Sequence, residues 1–173
     1  MSLIPSPKEC LKLLKKAGCS DNVVRHCKAV RDVALKIAKR TDADVKLVEA
    51  GALLHDIGRS KTHDVFHVIE GVKIAQKLGL PQSIINIIER HIGAGISKEE
   101  AKKLGLPPKD YIPKTLEEKI VCHADNLIDN YERQNIEDAM ERALNEDHKE
   151  YAERLLKLHK ELSDICGIDL NLL

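Results

Sequence analysis

Eight histidines are spread through a chain of 173 residues, and several of them fall where apolar residues set the rhythm. His26 lies three and four residues from Val23 and Val30, and His55 follows Val48 and Ala52. His91 follows Ile84, Ile87 and Ile88, His67 is in register with Gly71, Ile74 and Leu78, and Asp125 sits beside Val121 and Ile128. Residues three and four apart share one face of a helix, so five separate helices turn a titratable side chain inward. A buried imidazole or carboxylate is costly unless it is hydrogen-bonded, paired or bound to a metal. Repetition on five helices, with aspartates among the residues, favours a metal over unrelated hydrogen-bonded core side chains. The dipeptide His55-Asp56 is the sharpest local feature, because it ends the apolar run Ala-Gly-Ala-Leu-Leu and precedes Ile57-Gly58-Arg59. Gly58 allows the backbone to break there, so both side chains can face one point. A second pair, His63-Asp64, sits in a polar stretch with no apolar helix leading into it and reads as a decoy.

These residues need helices to carry them, and helical punctuation is dense. Ser6-Pro7 is a helix start and Gly18 a helix end. Further helices are predicted over about 22–40, 43–55, 66–78 and 82–91. Ser97 with Glu100 is a capping box for a short helix ending at Gly105, and three prolines make 106–113 an irregular connector. Thr115 with Glu118 is a second capping box, predicting a helix to about Arg133; from Ile136 onward one or two amphipathic helices follow. β-branched residues occur at helical spacing rather than in alternation. The expected fold class is all-α: a compact bundle of about seven to nine helices, with one domain over 1–173, a motif-bearing core over about 20–135, and C-terminal helices 136–173 packed on it.

Composition bounds the partners. With 28 basic and 28 acidic residues, the chain has no general attraction to nucleic acid or an anionic membrane. One Phe, three Tyr and no Trp argue against stacking platforms for single-stranded nucleic acid. The five cysteines are scattered, with no Cys-x-x-Cys, and read as free thiols of a cytoplasmic protein. No apolar run approaches the length of a membrane span.

His26, then His55-Asp56 inside Leu-Leu-His-Asp-Ile-Gly, then Asp125 inside Ala-Asp-Asn-Leu resembles the HD-domain superfamily of metal-dependent phosphohydrolases. About 30 residues precede the pair and about 70 follow it, and the likeness covers roughly 20–135. With His67 and His91 between, the pattern is similar to the binuclear branch, H…HD…H…H…D. The resemblance implies that His26, His55, Asp56 and Asp125 hold one divalent metal, while Asp56, His67 and His91 hold a second, with Asp56 bridging. Nitrogen and oxygen donors without thiolate suit Mn, Fe, Co, Ni, Zn or Mg. Such a pair of ions lowers the pKa of a bridging water, leaving a hydroxide to attack phosphorus, and offsets charge on the phosphoryl oxygens. The implied activity is hydrolysis of a phosphomonoester or phosphoanhydride of a nucleotide or dinucleotide, a small phosphorylated partner, as in symmetrical dinucleoside-tetraphosphate hydrolases. Alternatives are a di-iron oxygenase similar to inositol oxygenase, which uses the same ligand set, and a non-catalytic binding module.

Asp56, Arg59 and Lys61 are the candidate catalytic residues, the two cations either contacting phosphate or standing as plain surface charges. Arg25 and Lys28 flank His26 as weaker candidates. His123 points to a different helix face from Asp125 and reads as non-ligating. Asp129 is either a partner of Asp125 or a solvated carboxylate. His148 and His159 fall in the charged C-terminal part and are expected to be exposed, and Gly93-Ala-Gly95 is either a mobile loop at the mouth of the site or a helix stop. The amphipathic C-terminal helices leave a homo-oligomer open.

Overall fold

Ser6, Ser20, Asp44, Ser97 and Thr115 each accept a hydrogen bond from the backbone N–H of a residue two or three positions on, and a helix begins after each of them. In the computed structural model, which describes residues 3–173, these starts open α1 (Pro7–Ala17), α2 (Asp21–Ala38), α3 (Val45–Leu54), α6 (Lys98–Leu104) and α7 (Leu116–Asn126). The others are α4 (His67–Lys77), α5 (Gln82–Glu89), α8 (Ile136–Asn145) and α9 (Lys149–Cys166), with short 3₁₀ turns at Ile57–Ser60 and Leu170–Leu172. The all-α expectation holds, and among the described residues no helix is long and apolar enough to cross a membrane.

α3 lies between two apolar clusters. Its Val48 and Ala52 join residues of α2, α7, α8 and α9, while Ala50, Leu53 and Leu54 join residues of α1, α2, α4 and α5. Because α3 packs on both sides, its C-terminal end, where His55 and Asp56 follow, is set in the middle of the molecule. α9 places Leu155, Leu158 and Leu162 in the first cluster with Val33 and Ile37 of α2, so residues beyond 136 pack on the motif-bearing helices.

Two local expectations are corrected. The helix predicted to run to Arg133 stops at Asn126, and Ile128–Asp129 (β1) pairs antiparallel with Glu132–Arg133 (β2). Asn130, in the turn between them, takes a left-handed φ of +57° that a helix does not admit but asparagine tolerates, so no helix runs through to Arg133. Thr115 caps α7 as expected, but Glu118 does not close the box. Its carboxylate accepts both contacts from Arg90 Nη1, at 2.9 Å each, and one from the Lys114 N–H at 2.7 Å, tying α5 to α7.

His159 is also corrected: it is buried, whereas His148 is exposed as expected. His159 Nε2 donates to the Asp169 carboxylate at 2.9 Å, leaving Nδ1 to accept from His123 Nε2 at 2.8 Å. His123 thus holds α7 to α9. Burial, aided by His159 and Arg133, lowers its pKa to about 3. Unfolded, it titrates near pH 6.5, so the unfolded chain takes up the proton first and stability falls as pH drops below that value. Between pH 7 and pH 5 this group should cost about 2 kcal/mol. Urea midpoints of the chelator-treated protein at the two pH values should show that fall, and His123→Gln should show a shallower one. Equal slopes would remove His123 from the acid response.

Candidate metal centre

Each of the six side chains stands at a helix end or on an inward face. His26 lies on α2, His55 and Asp56 leave the end of α3, His67 begins α4, His91 follows α5, and Asp125 is the penultimate residue of α7. α3 stops at Leu54 and Asp56 has φ −99° and ψ 16°, so the two neighbours no longer diverge as they would along a helix. His55, Asp56, His67 and His91 are buried, while His26 and Asp125 are partly exposed.

All four rings are oriented in the same sense. Nδ1 of His55, His67 and His91 lies 2.7 Å from the carbonyl oxygens of Ala52, Asp64 and Ile88, and Nδ1 of His26 lies 2.5 Å from that of Asn130. A carbonyl only accepts, so each Nδ1 carries a proton and each ring turns its other nitrogen, Nε2, towards the centre. Those four Nε2 atoms converge on two carboxylates. His26 Nε2 is 2.9 Å from Asp125 Oδ1 and 3.5 Å from Asp56 Oδ2; His55 Nε2 is 3.6 Å from both oxygens. His67 and His91 Nε2 are each 3.2 Å from Asp56 Oδ1 and 3.1 Å from one another.

Four ring nitrogens and two carboxylates packed this closely are held together by a cation among them, either protons on Nε2 or a metal ion bound to it. His55 Nε2 and Asp56 Oδ1 are buried with no hydrogen-bond partner, at a cost that a metal bond removes. The donor set fits a divalent metal of the nitrogen- and oxygen-preferring kind. Asp56 divides it in two, with Oδ2 towards His26 and His55 and Oδ1 towards His67 and His91.

The electrostatics agree. Burial opposes ionisation of Asp56, but His55, His67 and His91 outweigh it and hold the carboxyl well below the usual range. Asp125 is lowered in the same way by His26 and His55. Burial lowers His91 and keeps it neutral. Burial also opposes charge on His55, but Asp56, Cys27 and Asp125 prevail and raise its pKa. A proton thus competes with a cation here, and metal affinity should weaken on acidification.

Two cavities open onto the cluster, of about 910 and 450 Å³, and Arg59, Gln134 and Arg142 line both. Arg59 Nε donates to Asp56 Oδ2 at 2.8 Å and its Nη1 to the His63 carbonyl at 3.0 Å. Lys61 is exposed and lines neither cavity, so its proximity in sequence does not carry it to the centre. Arg25 stacks on Tyr131, 3.9 Å from the ring centroid, and Lys28 faces solvent. Asp129 binds Arg142 Nη1 at 3.1 Å in place of Asp125. The decoy His63-Asp64 stays outside the cluster, but Asp64 supports His67 through its carbonyl and holds the Phe66 N–H with its carboxylate. The Gly93–Gly95 segment is pinned, not loose: Cys122 Sγ and Asn126 Nδ2 donate to the Gly93 carbonyl, and Arg154 Nη2 to that of Gly95. Tyr151 packs so closely on Gly93 that a Cβ there would lie 2.5 Å from its ring.

Arg142, Gln134 and Asn130 escape sequence reasoning. Arg142 comes from α8, which reaches the centre only through the turn at 128–133. Asp129-Asn130 was the one available signal, as a turn-favouring pair.

A family model described as the HD domain matches residues 23–130. A Thermoplasma volcanium protein named tRNA (cytidine(56)-2′-O)-methyltransferase is 45% identical over 183 residues, 99% of this chain and 51% of its own length. An uncharacterised Methanocaldococcus jannaschii protein is 48% identical over 166 residues, covering 91% of this chain and 97% of that one. The chain spans about half the length of the methyltransferases it matches. Among solved structures, the HD domain of the L. monocytogenes phosphodiesterase PgpH in complex with cyclic-di-AMP superposes with a TM-score of 0.61 at 19% identity, over 93% of this chain and 94% of that one; this likeness is one of fold. The matched segment takes in His26, His55, Asp56, His67, His91 and Asp125 together, and the chain belongs to the HD-domain family.

Proposed function

We propose that this chain is a metal-dependent phosphohydrolase that cleaves a phosphate ester or anhydride of a nucleotide or dinucleotide. One observation carries the reading: four imidazole Nε2 atoms converge on two carboxylates, one of which faces two half-sites with its two oxygens. His26, His55, Asp56 and Asp125 would hold one divalent ion and Asp56, His67 and His91 the other. When bound, such ions activate a water as nucleophile and offset charge on the phosphoryl oxygens.

The protein's own groups do the rest. The backbone carbonyls fix the rings before any ligand arrives, so little reorganisation is needed. Arg59 and Arg142 line both cavities and present guanidinium donors to a phosphoryl group lying between them. Their charge is local, which suits a neutral chain with a small anionic substrate. Tyr131 is 42% exposed in the larger cavity and carries Arg25 over its ring, so this stacked pair is what a base or ribose would meet there.

A panel of mononucleotides, dinucleoside polyphosphates, cyclic dinucleotides and a short RNA, each with added Mn²⁺, tests the reading. At least one class should be hydrolysed, with activity lost in His55→Ala and Asp56→Ala. Turnover that survives both substitutions would overturn the assignment. RNA belongs in the panel because relatives of this chain carry the name of a tRNA methyltransferase.

A further inference from the structure

Three of the four rings find their carbonyl within their own segment, three residues earlier: Ala52 for His55, Asp64 for His67 and Ile88 for His91. His26 has no such option. It lies within α2, where the preceding carbonyls are taken by the helix ladder, and its Nδ1 reaches 104 residues along the chain to Asn130.

Asn130 is the first residue of the two-residue loop between β1 and β2. Its φ of +57° belongs to the left-handed region that glycine and asparagine tolerate and β-branched residues do not. The hairpin is fastened on several sides. Arg133 Nη1 donates to the Leu127 carbonyl and Nη2 to that of Leu170, Arg142 binds Asp129, and Arg25, the neighbour of His26, covers Tyr131. The loop carbonyl is thereby presented to the imidazole. The Asn130 side chain itself is exposed, and among the described residues its one hydrogen bond is to Asp129, at 3.4 Å, so changing it removes little else of the polar network.

We propose that Asn130 is a positioning residue: its left-handed backbone holds the carbonyl that orients His26, and so sets cation affinity at the His26–Asp125 half of the centre but not at the His67–His91 half. This rests on the metal-centre reading above. It also makes the wall of the larger cavity, to which Asn130 and Tyr131 belong, part of the mechanism that holds one ligand in place.

The metal-free 173-residue chain titrated with Mn²⁺, by calorimetry and by electron paramagnetic resonance of the free ion, tests it. The parent should take up two ions. Asn130→Val should bind one as the parent does and the other about tenfold more weakly, the scale on which partners behind a metal ligand act. Asn130→Gly, which keeps the positive φ, should match the parent. His26→Gln should weaken the same half, and adding Asn130→Val to it should weaken that half no further. Asn130→Ala carries the same test should the valine variant not fold. A valine variant that binds both ions like the parent, or weakens both equally, overturns the proposal, as does a glycine variant as impaired as the valine one. A parent that takes up fewer than two ions overturns the metal-centre reading, and this proposal with it.

Discussion

Asp56→Ala should strip the protein of both ions and of hydrolytic activity, with a loss exceeding the roughly 100-fold that removal of an outer hydrogen-bond partner costs a metal site. The reason is the division of labour between its oxygens. Oδ1 faces His67 and His91, and Oδ2 faces His26 and His55, so this one carboxylate serves both halves with separate oxygens. Loss of the carboxylate also leaves Arg59, whose Nε contacts Oδ2 at 2.8 Å, without its counter-charge beside four imidazoles. Asp56→Asn, similar in shape but neutral, should fail in the same way, which separates the need for charge from the need for volume. Metal content after dialysis and kcat on the best substrate of the panel check both variants. A variant that keeps two ions would show that Asp56 is not shared.

Gly58→Ala should destabilise the fold by about 3 kcal/mol, at the upper end for an overpacked site. A Cβ at this position would lie 1.8 Å from the His67 carbonyl oxygen and 2.5 Å from the Gly71 nitrogen. Both are backbone atoms of α4, which cannot yield without moving His67 away from Asp56. For a chain of this size the melting temperature should fall by about 6–12 °C. Ion binding at the His67–His91 half should suffer more than at the other half. Calorimetric melting of the metal-free variant and its Mn²⁺ titration read the two effects separately, and a variant that melts like the parent would mean that α4 has room to shift.

Much of the candidate centre was legible because its residues obey a helical rule. His26, His55, His67, His91 and Asp125 each replace an apolar residue on an inward stripe, and the structure brings the four histidines to Asp56 and Asp125 to His26 and His55. The same rule applied to α9 would have placed His159 inside, since Leu155 and Leu162 stand four and three residues away; the charge of the surrounding segment obscured it. Gly58 was legible as a special position for a different reason from the true one. Its backbone φ is ordinary, and the demand comes from α4 packed against it, which no local pattern reports. Lys61 shows the converse: adjacency in sequence to His55-Asp56 does not carry a side chain into the site once the 3₁₀ turn at Ile57–Ser60 has redirected the chain. Arg142 and the Asn130 carbonyl depend on contacts made over long stretches of chain, so only the folded arrangement reveals them.

Anomalous diffraction from crystals grown with Mn²⁺ tests most directly whether two ions share Asp56. Two peaks are predicted, one enclosed by His26, His55, Asp56 and Asp125, the other by Asp56, His67 and His91. A single peak that leaves Asp56 uncoordinated, or no peak among these six residues, would contradict it.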